Sequence, residues 1–469
     1  MVEEDGGAPI LYPAYIEEQF RERNLAYYAD NSITTEQGIV YTIPDFSTLL
    51  TTIFEHNLLT FMLQLPTFPY IEQVIQYGGK VLCSEDGKPL GIRIKGGKNT
   101  ARWIVSASGW GCDRLSVEWL QLLRQVYQTA QVGTPATPGA LGQAMFRQSF
   151  KQSHGDNWRQ HRHRRPSGPI ANKIREESSG ARSEVFQLGV VFDVAYENDQ
   201  HNGYGAALAA PQPTGKTFSI TGKVAQNYPF YFVKCEVMIH HDMVIGPFPV
   251  RVGDKRNRHP VFPCDRGVYV TWLWNREIET TRREGCSVKI ISGFAWREAT
   301  YDFAPFVEAV AQLRDTAPHE VRPFLKLALV AAVGRLGMPS ERYSLVAGRD
   351  RIVGDTPVCD AGIAYDWWIH QEHDSYPQSM PHMFSHTLML CRLSLFEMAK
   401  RCMQQELNVI ATNTDAVITE KRDATLQVKG EHVETGEWTA LELHNVIVKA
   451  NRHLDSDEKS VHPGVPKKR

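Results

Sequence analysis

Asp199-Gln200-His201-Asn202-Gly203-Tyr204-Gly205 follows an apolar run, Leu188 to Tyr196, and Ala411-Thr412-Asn413-Thr414-Asp415-Ala416-Val417 closes a second run far down the chain. Each segment sets an aspartate at the end of a strand candidate. Metal-assisted transfer of a nucleotidyl group needs two carboxylates converging on two divalent ions about 3.5–4 Å apart. It also needs cations for a triphosphate. Between the two aspartates lies a helix candidate, Pro323–Leu336, that carries Lys326. Paired carboxylates and a basic helix together predict a sheet that presents acids and a helix that presents charge.

Asp193 stands six residues before Asp199, and strand alternation puts both on one side, so spacing leaves either as the ligand. Tyr204 between two glycines is a candidate sugar selector, because a ring beside a nucleotide site excludes a 2′-hydroxyl sterically. Asp415 falls in an Asn-Thr-Asp turn between two apolar stretches, a hairpin tip. Arg322 and Lys326, four residues apart, share a helix face. Arg314 sits on the preceding candidate helix, Ala304–Arg314, across a turn at Asp315–Pro318, which predicts an antiparallel helix pair. Pro213-Thr214-Gly215-Lys216-Thr217 lacks the first glycine of a phosphate loop, Ala210 standing there. His240-His241-Asp242 does not make a ligand cluster, since neighbours on a strand point to opposite faces.

The 469 residues carry a net charge of −2, 42% hydrophobic and 22% charged residues, ordinary values for a soluble globular chain of about three domains. Nucleic-acid binding must therefore come from local patches. The strongest is Arg147–Arg175, with eight Lys/Arg against the single acid Asp156 and its densest point at His161-Arg162-His163-Arg164-Arg165. Such a run is a solvated linker, an arm for phosphates, or both. Eight cysteines without a CxxC pair fit reduced thiols and no zinc site. The acidic start Met1-Val2-Glu3-Glu4-Asp5 has no apolar stretch behind it, and no run approaches a membrane span, which predicts a cytoplasmic, unsecreted protein.

In order, these segments resemble the motifs of family B DNA polymerases, most of all the protein-primed branch of bacteriophages and linear plasmids. Gly180-Ala181-Arg182 with Glu184 resembles the Tyr-x-Gly-Gly junction between exonuclease and palm. Asp199 to Gly205 fits Asp-x-x-Ser-Leu-Tyr-Pro at identical spacing, which favours Asp199 over Asp193. Lys326 to Arg335 fits Lys-x-x-x-Asn-Ser-x-Tyr-Gly, with Val330 and Val333 in place of Asn and Tyr. Asn413-Thr414-Asp415 fits Asp-Thr-Asp, with Asn413 for the first aspartate and Ala416 for the serine that follows. Asn227-Tyr228-Pro229, Cys235-Glu236 and Ile291-Ser292-Gly293 fall where that branch carries its first terminal-protein-type insertion. The resemblance covers about residues 175–450. Further upstream, Asp30-Asn31-Ser32 stands where the exonuclease has Asp-x-Glu, and His56-Asn57-Leu58 lacks the aspartate that should follow.

The resemblance implies an α+β right-hand polymerase: an antiparallel palm sheet, helical fingers, a degenerate RNase H-like exonuclease lobe and a minimal thumb. The expected division is 1–146 exonuclease-like, 147–182 basic linker, 183–302 palm with insertion, 303–337 fingers, 338–425 palm, and 426–469 thumb and disordered tail. It implies a DNA-directed DNA polymerase without proofreading, in a phage, plasmid or bacterial host. Asp199 and Asp415 would hold Mg2+ or Mn2+ with a backbone carbonyl near Gln200. Lys326, Arg322 and Arg314 would neutralise the triphosphate, and Tyr204 would filter the sugar. Arg159, Arg162, Arg164, Arg165 and Lys449 would contact the DNA backbone. The implied partners are primer–template DNA, deoxynucleotides and a priming or processivity protein, with no membrane. The altered motifs allow a second expectation, a polymerase relic that binds nucleic acid or organises a complex.

Overall fold

The computed structural model describes residues 3–5, 22–84, 87–96, 100–155, 166–253, 258–338, 342–347, 356–357, 367–372, 379–428, 433–449, 454–458 and 460–461. The elements that matter for function are, in chain order, α1 (Pro138–His154), β1 (Ser183–Val185), β2 (Val190–Gln200), α2 (Gly203–Ala209), α3 (Ala304–Thr316), α4 (Arg322–Leu336), α5 (Pro381–Gln404), β3 (Val409–Asn413), β4 (Ala416–Thr419) and β5 (Trp438–Val448). The chain divides into two compact units. One contains 1–10, 162–307 and 380–469, and the other contains 11–161 and 308–379.

The second of these units is built on a ten-stranded mixed sheet. Its central strands Asn24–Ala29, Leu58–Met62 and Thr100–Ser106 run parallel to one another. Leu58–Met62 is buried throughout, and the helix Phe46–Glu55 is fixed at its start by Asp45, whose carboxylate accepts the Thr48 amide at 2.7 Å. Asp30 and Asn31, expected at an acidic exonuclease motif, instead form the tip of a hairpin between Asn24–Ala29 and Ser32–Thr35 with φ of 49° and 54°. Both residue types tolerate that left-handed backbone, which is why the turn forms there. His56 and Asn57 form the turn that ends the helix. The buried carboxylate of this region is Glu36, held by Arg124 at 2.7 and 2.9 Å. The strand Arg342–Ala347, which follows α4 in sequence, extends the same sheet by pairing with Lys80–Cys83. Helix α4 packs closely against α1 in this unit, so the expected pairing with α3 is not its tightest one.

The other unit carries the antiparallel sheet expected of a palm, with β5, β2, β4, β3 and β1 as successive neighbours. Nearly every residue of β3 and β4 is buried, so both read as short continuous apolar runs rather than alternating ones. Their shared core includes Ala195, Ile410, Ile418, Leu443 and Val446. One expectation is corrected here. Trp438–Val448, allotted to a thumb, is a full strand of the palm sheet, paired with β2 from Val190↔Val448 to Gln200↔Trp438. The stretch expected to hold an insertion supplies four strands, Thr217–Thr221, Ser287–Trp296, Phe230–Ile239 and Gly267–Trp274, of a five-stranded antiparallel sheet whose edge strand is Glu3–Asp5. Trp274 and Trp296 from it stack at 5.5 Å, both fully buried.

Candidate active site

Strands β2 and β4 bring the two motif aspartates together. Asp199 lies directly opposite Ala416, and the Gln200 amide donates to the Asp415 carbonyl at 2.9 Å. Opposed residues of an antiparallel pair have Cα atoms about 4.5–5.5 Å apart, so the backbones of the two aspartates, one register step out, lie close together. Asp193 is exposed and six residues back along β2, about 20 Å away at the rise of a strand, so it is Asp199 that lies beside the Asp415 turn.

The β3–β4 hairpin turns through Thr414 and Asp415. Thr414 has φ of 61°, and a β-branched residue held there stores about 1–3 kcal/mol of backbone strain. Its amide donates to the Arg182 carbonyl at 2.9 Å, which fixes the turn from the adjoining β1 segment. Asn413 pairs with Ser183, whose hydroxyl reaches the Asn413 side-chain oxygen at 3.4 Å. The Arg182 side chain is itself buried beside Glu184 at 2.5 Å and lies over the Phe262 ring at 4.2 Å; burial pulls its pKa down.

Beyond Asp199 the chain reverses at Asn202, φ 53°, into α2. Gly203 sits in close quarters: a Cβ there would lie 3.3 Å from the Asp415 Cβ and 3.1 Å from the Gln200 side-chain oxygen, so those side chains would have to give by a few tenths of an ångström. Gln200 is anchored through its amide nitrogen to the Gly436 carbonyl at 3.0 Å. Tyr204, half-buried, has its phenol pKa pushed well up by burial, then by Cys391 and Asp415, against the opposing charge of Arg392.

Helix α5 supplies the floor. Cys391 is buried against the Gly203 carbonyl, and burial with the Asp415 charge pushes its thiol up to about 12. Next to it, Arg392 is 4% exposed and forms a buried ion pair with Glu277 at 2.7 Å. The same guanidinium donates to the carbonyls of Ser179 and Gly180 at 2.6 and 2.9 Å, just ahead of the β1 segment that holds Thr414. Sequence reading missed Arg392 and Glu277. The available signal was a charge at an interior position of an otherwise apolar helix stretch, Leu388 to Leu393.

Asp199, Asp415, Gln200 and Tyr204 thus assemble in one place. Lys326, Arg322 and Arg314 belong to the other compact unit. Arg322 and Lys326 are exposed on α4, in line with Val330 and Gly334, while Val333 is buried. Arg322 also donates to the carbonyls of Ala317 and Asp315 at 2.9 and 3.3 Å, fastening the turn between α3 and α4. Arg314 is half-buried, and burial lowers its pKa with the nearby Arg322 adding to the effect. Lys449 is paired with Asp455 at 2.5 Å. Arg159, Arg162, Arg164 and Arg165 lie outside the described residues. Two carboxylates beside backbone carbonyls are a donor set for hard, oxygen-binding cations such as Mg2+ or Mn2+. Among the described residues no group of three His, Cys, Asp or Glu side chains could hold a metal ion, and no helix is long and apolar enough to cross a membrane.

Residues 118–350 match the family described as DNA polymerase type B, organellar and viral. No curated protein matches the chain. Among solved structures it is similar to phi29 DNA polymerase complexed with single-stranded DNA, with a TM-score of 0.67 and 13% identity over 94% of this chain and 90% of that one. It is similar, too, to phi29 DNA polymerase complexed with primer-template DNA and incoming nucleotide substrates, with a TM-score of 0.65 and 14% identity over 95% and 89%. At that identity the likeness is one of fold.

Proposed function

From its place among the family B DNA polymerases, we propose that this chain adds deoxynucleotides to a primer by two-metal-ion catalysis at Asp199 and Asp415. The observation that carries the reading is the pairing of β2 with β4, which sets the Asp199 backbone one register step from Asp415 in the adjoining turn. Mg2+ or Mn2+ bound there would activate the attacking hydroxyl and offset charge on the departing pyrophosphate. Asp199 and Asp415 would hold the ions, with a backbone carbonyl near Gln200 as a further oxygen donor. Lys326, with Arg322 and Arg314, neutralises the triphosphate. The primer 3′-hydroxyl oxygen bonds to the α-phosphorus as the bond to pyrophosphate breaks, and the hydroxyl proton passes to solvent. A protein hydroxyl takes the primer's place if priming is by protein. Arg159, Arg162, Arg164, Arg165 and Lys449 would lie along the DNA backbone.

Tyr204 is the proposed sugar filter. It is half-buried and follows Gly203, the residue set against the Asp415 Cβ, so a sugar bound at Asp415 would come within its reach. Tyr204→Ala is expected to lower the preference for deoxy- over ribonucleotides by about 10–100-fold, measured as the ratio of kcat/KM values. An unchanged ratio would place the filter elsewhere.

The N-terminal lobe is proposed not to proofread. In support, Asp30 and Asn31 serve a hairpin tip and Glu36 is committed to Arg124. Incubating the protein with a mismatched primer terminus and Mg2+ tests this; shortening of the primer would refute it.

The relic reading draws on Val330, which is 38% exposed where the family motif has asparagine, and on Asn413. Primer–template extension with Mg2+ and with Mn2+ separates the two. Nucleotide addition supports the enzyme, and DNA binding without addition under either metal supports the relic.

A further inference from the structure

We propose that the exonuclease-like lobe serves as the seat of the nucleotide-binding helix: α1 positions the exposed face of α4, with Gly142 and Arg335 as the positioning residues. The inference rests on the reading that Lys326 holds the triphosphate. Lys326 and Ala328 are two residues apart, about 200° around a helix, so they occupy opposite faces. Ala328, Leu329, Ala332, Val333 and Leu336 are buried, while Arg322, Lys326, Val330 and Gly334 face outward.

The buried face meets α1 with almost no intervening side chain. A Cβ at Gly142 would overlap the Ala328 carbonyl oxygen and lie 2.7 Å from the Ala332 Cβ. The obstructing group is backbone, which no rotamer change can move aside. Glycine at 142 therefore sets how near the two helix axes come, and any larger residue forces α4 outward.

Both ends of α4 are tied to the same region. At one end, Arg335 lies over the first turn of α1, where a Cβ on Gly139 would come 2.6 Å from its Nε. It donates to the Thr137 hydroxyl at 3.0 Å and to the Gln143 side-chain oxygen. Thr137 also caps α1 by accepting the Ala140 amide at 3.2 Å. Near the other end, the Phe324 ring lies 6.2 Å from Trp110, whose indole donates to the Ala136 carbonyl at 3.2 Å. Beyond the helix, the buried Ser379 hydroxyl donates to the Leu336 and Met338 carbonyls at 3.3 and 2.6 Å. A helix held at its middle and both ends keeps its opposite face in register. That gives a lobe without a carboxylate cluster among its described residues a role in binding the substrate.

The test uses the full chain with primer–template and Mg2+ in single-nucleotide addition. Arg335→Ala is expected to raise KM for the deoxynucleotide about tenfold while kcat stays within about threefold. The Kd for primer–template is expected to stay unchanged, and Arg335→Lys to recover part of the KM. If Arg335→Ala does not fold, Arg335→Gln, which keeps a donor at similar reach, is read by the same KM. In the Lys326→Ala background, Arg335→Ala is expected to add little further rise, because it acts through that face. A loss of kcat or active fraction with KM unchanged would overturn the proposal, as would a full additional rise in the double variant. If Lys326→Ala leaves KM alone while Arg335→Ala raises it, α1 still positions α4 and only the assignment of the triphosphate to Lys326 fails.

Discussion

Asp415→Asn is expected to cut the rate of nucleotide addition by about 10³-fold or more, about 4 kcal/mol of transition-state stabilisation. The substitution keeps the side chain's shape and its place against Gly203, so the hairpin should persist while the charge is lost. The amide still offers an oxygen, but without the negative charge that pairs with a divalent ion. Asp199→Asn should behave alike, and the double variant should lose little more than either single one, because the two carboxylates act as a unit. Rapid-quench measurement of single addition, with primer–template Kd measured alongside, separates chemistry from binding. A variant within tenfold of the wild-type rate would remove Asp415 from the catalytic centre.

Arg392→Ala is expected to destabilise the unit that holds the aspartates by about 3–5 kcal/mol. Removing one partner of a buried ion pair leaves the other charge uncompensated. Here the stranded partner is Glu277, 1% exposed, and the carbonyls of Ser179 and Gly180 lose their donors too. Those carbonyls lead into the β1 segment that holds Thr414, so activity should fall along with stability. Urea unfolding followed by tryptophan fluorescence suits the test, since Trp274 and Trp296 are buried in that unit. Glu277→Leu combined with Arg392→Met should recover much of the loss, because an apolar pair of similar volume carries no desolvation cost. A single-variant loss below about 1 kcal/mol would show that the pair is solvated.

The parts of this molecule that were legible in its sequence are those with local signatures. The apolar runs behind Asp199 and around Asp415 form β2, β3 and β4, and the turn at Thr414-Asp415 falls where the residues predicted it. The acid–glycine–tyrosine segment Asp199 to Gly205 forms the end of β2 and the start of α2, with Gly203 against the Asp415 Cβ. What was not legible depends on partners distant in the chain. Asp193 and Asp199 are equivalent by alternation, and only Asp199 falls in the stretch of β2 that β4 lies beside. Trp438–Val448 has the pattern of any half-buried strand, and its place in the palm follows from the free edge of β2. The pairing of α4 with α1 rests on Gly142 and Ala328, two small residues whose meeting leaves no trace in either helix's periodicity. Asp30 resembled a degraded exonuclease acid because hairpin tips and metal sites favour the same short polar residues.

The shared binding of divalent ions by Asp199 and Asp415 is tested most directly by counting Mn2+ with electron paramagnetic resonance. The sample is the chain bound to primer–template and a deoxynucleotide, with a primer that lacks its 3′-hydroxyl. Two tightly held ions are expected in the wild type, and at most one in the Asp199→Asn and Asp415→Asn variants. Two ions retained in either variant, or none in the wild type, would contradict it.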